Sequence, residues 1–338
     1  MFTITPKQTR DEIIHCISVG LVPYIVSSPG MGKSSIVAKV ADQGGLKLLD
    51  LRLSQCTPED LQGFPMRTGN KATFTPFDIF PLESDTPPEG FNGWLLLLDE
   101  MSSAPKPVQA AAYKLVLDRM VGSFSLNEKC AIVCAGNKIT DRAVVTTMST
   151  ALQSRLIHYE MTVTLDDWQE WAIATGIDHR IIGFLNFSPS KLMDFDPDHK
   201  DKTFACPRTW EFLSRLIKNQ DVSSSIGARV SGTIGQGVAV EFITFAQEYT
   251  RLPNFKDLMS DPENYAIPPE ASTKYATISM LIERHTNDNI GKIIQYVERF
   301  PVELQIVFAR SVIVRSPKIR TENKDFSRYA MDMMSRYI

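Results

Sequence analysis

The sequence predicts an α/β fold in its first half, a parallel sheet with helices on both faces, followed by helices alone. Strand-like runs alternate with helix-length segments at residues 22–26, 46–53, 94–98, 131–135 and 156–161. The runs at 94–98 and 131–135 are apolar throughout, which is typical of strands in a parallel sheet that is covered on both sides. From Leu165 onward, only patterns with a helical period of 3.6 residues remain.

The individual elements follow in order along the chain. A first helix is predicted at about residues 9–19, and a second after residue 33, where residues 36, 37, 40 and 41 share one apolar face. A hairpin is predicted around Gly69 and Asn70, and a helix at 108–119. Later helices are predicted at 166–174, 180–186, 207–217, 235–249, 272–284, 289–299, 302–314 and 325–337. The pattern predicts an α/β part at residues 1–164 and helical parts at residues 165–220 and 221–338.

Composition and charge indicate a soluble globular protein without a global basic field. The 338 residues carry a net charge of −3. The odd number of scattered cysteines, with no CxxC, favours a reducing compartment, and the isolated histidines argue against structural zinc. The N-terminus lacks a signal-peptide pattern, and the longest apolar run is far shorter than the roughly 20 residues that span a bilayer. We therefore expect a cytoplasmic protein with no membrane partner.

Residues 27–34 fit the phosphate-binding loop pattern G-x-x-x-x-G-K-[ST], except that Ser27 stands where the first glycine is usual. Gly30 and Gly32 let backbone amides turn toward phosphate oxygens, which then face the positive end of the next helix. Lys33 is expected to reach the β- and γ-phosphates, and the Ser34 hydroxyl to bind Mg²⁺. The predicted nucleotide-contacting residues are Ser28, Pro29, Gly30, Met31, Gly32, Lys33, Ser34 and Ser35.

Polar residues also end the next two buried runs. Asp99 and Glu100 come directly after residues 94–98, so both carboxylates are expected at the carboxyl edge of the sheet, where open α/β sheets bind ligands. Asp99 is predicted to hold Mg²⁺, and Glu100 to orient and polarise the attacking water. Asn137 follows the run at 131–135, and its amide is suited to hydrogen-bond a γ-phosphate or the water. Asn after Gly is also common in ordinary turns.

These elements, in this order, resemble the AAA+ ATPases, a branch of the P-loop NTPases. Residues 30–34 match Walker A, residues 95–100 match Walker B, and Asn137 matches sensor 1. The segment 57–65 with the hairpin after it resembles the insert of the MoxR-type, helix-2-insert clade. The resemblance covers about residues 8–217. It implies an ATP- and Mg²⁺-dependent hydrolase whose helical lid is residues 165–220.

The resemblance also assigns roles to arginines. Arg155, just before the run at 156–161, matches the arginine finger that stabilises transition-state charge in a neighbouring subunit. Arg208, where a lid helix begins, matches sensor 2. Arg142 competes for the finger role, because the Asn137…Asp141-Arg142 spacing is similar to that of restriction motors that use GTP, which leaves the base open. A finger acting in trans implies a homohexameric ring.

The sequence leaves three alternative functions open for the predicted ATPase. The first is remodelling of a protein client or partner complex, which the MoxR-type resemblance favours. The second is a nucleic-acid motor or defence component, suggested by a basic C-terminal segment that is more simply interpreted as a solvated surface; its cations are Arg310, Arg315, Lys318, Arg320, Lys324 and Arg328. The predicted hairpin, with Lys71, Phe74 and Phe77, is suited to contact either a polypeptide or a nucleic-acid strand. The third is a slow nucleotide switch. The glycine-rich stretch 232–237 lacks a following Lys-Ser/Thr and is interpreted as a turn that enters a helix.

Overall fold

Six strands form one parallel sheet in the computed structural model, which describes residues 2–141, 146–198 and 201–337. The strand order within these residues is β1-β10-β2-β9-β6-β3, and each neighbouring pair is parallel. The chain divides into two units, Met1–Val163 and Thr164–Ile338. The strands are β1 Thr3–Ile4, β2 Val22–Ser27, β3 Leu46–Arg52, β4 Phe64–Thr68, β5 Lys71–Thr75, β6 Gly93–Asp99, β7 Met120–Val121, β8 Phe124–Ser125, β9 Cys130–Asn137 and β10 Leu156–Met161.

Helices cover both faces of this sheet. The first unit contains α1 Pro6–Ser18, α2 Lys33–Gln43, α3 Pro58–Gln62, α4 Lys106–Asp118 and α5 Thr150–Gln153. Alternate residues of β6 enter different cores: Leu95 and Leu97 belong to the core that contains Ile13 of α1 and Val37 of α2. Leu96 and Leu98 belong to the core that contains the apolar face of α4. This alternation follows from the two-residue period of a strand, and it confirms the predicted fold class, a parallel P-loop NTPase sheet covered on both sides.

Two small antiparallel hairpins complete the first unit. The predicted hairpin is confirmed: β4 and β5 pair in antiparallel register, and Gly69, with φ of 63°, lies in the turn between them. The second hairpin, β7–β8, follows α4 and was not predicted, because each strand has two residues. The turn of β7–β8 lies against the first hairpin, since a Cβ added to Gly122 would lie 3.1 Å from Cβ of Phe74.

The second unit is helical where it is described. Its helices are α6 Leu165–Thr175, α7 His179–Phe187, α8 Pro207–Ile217, α9 Gly227–Ile234, α10 Gln236–Gln247, α11 Phe255–Ser260, α12 Ala271–Arg284, α13 Ile290–Val297, α14 Val302–Arg315, α15 Ile319–Glu322 and α16 Lys324–Tyr337. The interpretation of 232–237 was wrong in part: residues 232–234 lie inside α9, and the break is Gly235, with φ of 86°. The boundaries predicted at residues 164, 220 and 338 stay predictions. No helix among the described residues is long and apolar enough to cross a membrane.

Candidate nucleotide-binding and hydrolysis site

The loop between β2 and α2 has the geometry of a phosphate cradle. Gly30 and Gly32 have φ angles of 76° and 84°, a region that glycine enters without a Cβ clash. Gly32 is the N-cap of α2, no side chain caps this helix end, and its first turn has no acidic residue. The positive helix end is therefore suited to an anion such as a phosphate. All the residues predicted to contact nucleotide, 28–35, fall in this loop or in the first turn of α2.

Lys33 joins the ends of the two central strands. Its ammonium group donates to the Ser27 carbonyl at 3.1 Å, to the Ser27 hydroxyl at 3.0 Å and to Oδ1 of Asn137 at 3.1 Å. Ser27 and Asn137 are paired across β2 and β9, so one lysine reaches both. These acceptors are neutral, whereas an ionised phosphate oxygen adds the attraction between two full charges to the hydrogen bond. A phosphate in the loop would therefore compete well for Lys33.

The two residues predicted to bind magnesium are brought together. The Ser34 hydroxyl, in the first turn of α2, donates a hydrogen bond of 2.8 Å to Oδ2 of Asp99 at the end of β6. They are 65 positions apart in sequence, and the sheet order makes them neighbours. A hydroxyl and a carboxylate at the mouth of a phosphate cradle are oxygen ligands of the kind that Mg²⁺ accepts beside nucleotide phosphates.

The electrostatics around Asp99 also fit a cation. Burial raises the pKa of Asp50 on the neighbouring strand β3, and the negative charges of Asp99 and Glu100 raise it further, against the opposing effect of Arg52. A pKa raised by neighbouring carboxylates means that negative charge is concentrated at this edge of the sheet. A bound Mg²⁺ would relieve that repulsion, so the donor set and the charge agree with the predicted metal.

Glu100 is held in an unusual backbone conformation. Its φ and ψ are 56° and 30°, in the left-handed region that non-glycine residues rarely adopt. The backbone N–H donates to Oδ1 of Asp99 at 2.7 Å, and the hydroxyl of Ser54 donates to the Glu100 carboxylate. Such strain persists only where the surroundings enforce it, and it is concentrated at functional sites. Ser54 cannot be identified from the sequence, because its nearness to Glu100 depends on the pairing of β3 with β6.

A tight contact fixes the end of β9 that carries Asn137. A Cβ on Gly136 would lie 2.3 Å from Oη of Tyr24 and 2.9 Å from Oγ of Ser102. The backbone N–H of Asn137 donates to Oγ of Ser102 at 2.9 Å. Burial raises the pKa of Tyr24 to about 12, although a hydrogen bond with Ser102 opposes this rise, so Tyr24 is a neutral phenol at physiological pH. Tyr24 and Ser102 were not identified from the sequence, since nothing local marks them.

Arg155 is not brought to the loop of its own chain. It precedes β10, whose first residue Leu156 pairs with Val22 at the start of β2, whereas the loop follows the last residue of β2. The start of β2, beside Arg155, and the loop at its end are therefore separated by five residues of strand, about 17 Å at 3.3 Å per residue. The exposed guanidinium donates to the Ala151 carbonyl at 2.8 Å and lies 5.2 Å from the ring centroid of Tyr113.

The two other predicted arginines are not tested by this geometry. Arg208 lies in the first turn of α8, in the second unit, and its side chain is exposed. Its predicted role as sensor 2 stays a prediction. Arg142 lies outside the described residues, so the choice between Arg142 and Arg155 as the finger also stays open.

No protein-family model and no curated relative matches the chain. Solved structures to which the chain is similar include a predicted ATPase from Cytophaga hutchinsonii, with 13% identity, a TM-score of 0.38 and coverage of 99% of this chain and 91% of that one. A RuvB mutant from Thermotoga maritima has 14% identity, a TM-score of 0.36 and coverage of 96% and 86%. NtrX from Brucella abortus, in complex with ADP, has 14% identity, a TM-score of 0.37 and coverage of 97% and 67%. The strand order and the loop between β2 and α2 of the chain itself are those of the P-loop NTPase fold.

Proposed function

We propose that the chain is a Mg²⁺-dependent ATPase of the AAA+ type, and more specifically of the MoxR-type branch. The observation that carries the proposal is the contact between the Ser34 hydroxyl and Asp99, next to Glu100 and at the mouth of the loop. A plain strand–turn–helix corner has no need for a hydroxyl, a carboxylate and a second, strained acid at one point. The combination suits phosphoryl transfer to water.

The chain's own residues have separate tasks in this reaction. The backbone N–H groups of residues 30–34 and the Lys33 ammonium bind the phosphates and neutralise their charge. Glu100 accepts a hydrogen bond from the attacking water and orients it, and the Ser54 hydroxyl holds the Glu100 carboxylate in place. Asn137, which bonds Lys33, is in reach of the same phosphate group. Mg²⁺ bound by Ser34 and Asp99 would supply Lewis-acid stabilisation of the phosphate charge.

Replacement of Lys33 tests the site directly. Lys33→Ala should lower ATP turnover by at least about 100-fold, because it removes a preorganised positive charge from the transition state. Lys39→Ala is the matched control, since Lys39 is exposed on the same helix. Equal turnover of the two variants would rule out the proposed site. The wild-type rate with ATP and with GTP also decides the base preference, and a very low rate with both would favour the slow switch.

We further propose a head-to-tail homohexameric ring in which Arg155 of one subunit completes the site of the next. The position of Arg155 at the sheet edge opposite the loop supports this arrangement. Lys33→Ala and Arg155→Ala variants, each inactive alone, should recover turnover when mixed, because a mixed interface combines an intact Arg155 with an intact loop. Absence of recovery would refute Arg155 as the trans-acting residue. Glu100→Gln with ATP should run as a hexamer by light scattering, and a monomer would refute the ring.

The work proposed for the ring is remodelling of a protein client or partner complex. The supporting observation is the β4–β5 hairpin, where Phe64 and Met66 are 56% and 52% exposed. They share one hairpin face, while Phe74 on the other face meets the Gly122 turn. Exposed apolar side chains of this kind suit a polypeptide more than a sugar–phosphate backbone. A pull-down with the Glu100→Gln variant and ATP should capture a protein that a Phe64→Ser, Met66→Ser derivative does not, and equal capture would exclude the hairpin.

A further inference from the structure

Three cationic side chains line one groove of the helical unit. The groove runs along α15 and α16 and has a volume of about 330 Å³. Arg320, Lys324 and Arg328 contribute the charges, and Thr321 and Ser327 contribute hydroxyl groups. No carboxylate side chain lines this groove among the described residues. The groove is therefore a concentration of hydrogen-bond donors with positive charge.

The structure divides the basic segment into neutralised and unpaired cations. Arg310 pairs with Asp166 at 2.9 Å, and Arg315 pairs with Glu283 at 2.8 Å. Arg328 contacts Asp325 at 3.2 Å, although both side chains are mostly exposed. Within the described part of the chain, Arg320 and Lys324 form no ion pair with a carboxylate. A solvated surface is a sufficient explanation for Arg310 and Arg315, which are paired with acids. It does not explain the unpaired positive charge in the groove.

Two of the three acids of α15 and α16, Glu322 and Asp325, have contacts outside the groove. On α16, the buried residues Phe326, Tyr329, Ala330 and Met333 define the inner face, and Lys324 and Arg328 lie on the opposite side at a spacing of one turn. Oδ2 of Asp325 lies 3.4 Å from the position of a Cβ on Gly291, so Asp325 is turned toward α13. Glu322 on α15 accepts a hydrogen bond from the side chain of Asn287. Glu322 and Asp325 are therefore not among the side chains that line the groove, although Asp325 still contacts Arg328.

We propose that this groove binds the phosphate backbone of nucleic acid. Arginine, lysine, serine and threonine are the side chains that most often contact phosphates without reading sequence. Lys324 and Arg328 are about 6 Å apart along the helix axis, so each can contact a different phosphate of a strand that presents one about every 3.4 Å of its axis. Together with Arg320, the groove therefore matches about three phosphate contacts. The proposal does not depend on the proposed ATPase function.

The charge of the surrounding segment supports the same ligand. Residues 310–338 contain seven lysines and arginines and three acids, a net charge of +4 in a chain whose total is −3. The positive charge is therefore local, and the rest of the chain would repel a polyanion. Contact with nucleic acid is then directed to this end of the helical unit, where Arg320 and Lys324 have no competing carboxylate.

The test measures the salt dependence of binding to a labelled duplex oligonucleotide by fluorescence anisotropy with the full chain. Three phosphate contacts predict a log–log slope of about −2.7, or a loss of about 40-fold between about 50 and 200 mM salt. The variant Arg320→Gln with Lys324→Gln should retain a slope of about −0.9 and lose only about 3- to 4-fold. The control Arg310→Gln with Arg315→Gln removes the same charge from the same segment at paired positions and should keep the wild-type slope.

Five outcomes would overturn the proposal. The first is absence of duplex binding by the wild-type chain at low salt, and the second is an equal loss in the test and control variants, which would indicate net charge alone. The third is an unchanged slope in the test variant. The fourth is binding of polyglutamate but not of DNA at this groove, which would assign it to an acidic protein. If the double variant fails to fold, Ser327→Glu places a carboxylate in the groove and should abolish duplex binding, and retained binding would also overturn the proposal.

Discussion

Replacement of Gly136 by alanine tests how the tertiary structure fixes the end of β9. The new methyl group would lie 2.3 Å from Oη and 3.0 Å from Cζ of Tyr24, and 2.9 Å from Oγ of Ser102. Ordinary van der Waals contact begins at about 3.4 Å, and Tyr24 is buried at 5% exposure, so its ring has little room to move. Either the ring or the strand end must therefore shift.

The expected cost follows from the behaviour of overpacked cores. Inserting a methyl group into a well-packed core typically costs about 1–3 kcal/mol. For a unit of this size, each kcal/mol lowers the melting temperature by roughly 2–4 °C. The shift should also displace Asn137, the next residue, and so weaken its hydrogen bond with Lys33. We expect Gly136→Ala to lower both the melting temperature and ATP turnover.

A double-mutant cycle separates this clash from a general effect of alanine. Tyr24→Phe removes the oxygen at 2.3 Å and should recover roughly 1 kcal/mol when combined with Gly136→Ala, a coupling typical of residues in contact. Gly232→Ala is the matched control, because Gly232 lies inside α9 with no neighbouring atom within 4 Å. It should raise stability by about 0.5–1 kcal/mol. The measurements are thermal unfolding and ATP turnover of the variants.

Two results would refute the reasoning. One is a melting temperature of Gly136→Ala equal to that of the wild type, since a contact of 2.3 Å cannot be accommodated without a shift. The other is strict additivity of Gly136→Ala and Tyr24→Phe, which would mean that the phenol oxygen is not the group that the methyl meets.

Two further predictions concern Glu100 and two half-buried histidines. Ser54→Ala removes a hydrogen bond to a charged group, worth about 1.5 kcal/mol or more, so turnover should fall about tenfold with unchanged nucleotide affinity; an equal loss of affinity in a binding titration would contradict this role. Burial lowers the pKa of His179 and of His285 below 6.5. Below pH 6.5 the unfolded chain therefore binds more protons than the folded one, and stability falls as the pH falls. The melting temperature should drop between about pH 7.5 and pH 5.5, less so in a His179→Gln, His285→Gln variant; an unchanged pH dependence in that variant would exclude these histidines.

The sequence determined the longer strands and helices of the first unit, whereas short elements such as β1, α5, β7 and β8 were not predicted. The predicted strand at 94–98 is β6 at Gly93–Asp99, and the predicted helix at 108–119 is α4 at Lys106–Asp118. Such elements can be predicted from the sequence because a buried strand or an amphipathic helix repeats its apolar residues at a fixed short period. Helix α9 was missed because its glycines lowered the helical signal, although Gly232 fits inside the helix.

The phosphate-binding loop could be predicted from the sequence for a related reason. Its chemistry requires glycines, a lysine and a hydroxyl residue within one short stretch, so the pattern from Gly30 to Ser34 is local. Asp99 and Glu100 could be placed at the carboxyl edge of the sheet, because they follow a buried strand. Their distance from Ser34 could not be read from the sequence, since it depends on which strands are neighbours.

The sequence by itself therefore determined the apolar strands, the helices and the loop chemistry, each of which is encoded within about ten consecutive residues. Only the tertiary structure decided that Ser54 contacts Glu100 and that Tyr24 and Ser102 pack against Gly136. The physical reason is that strand order and register are set by packing between distant segments. A side chain whose partner comes from another strand leaves no periodic signal in its own neighbourhood.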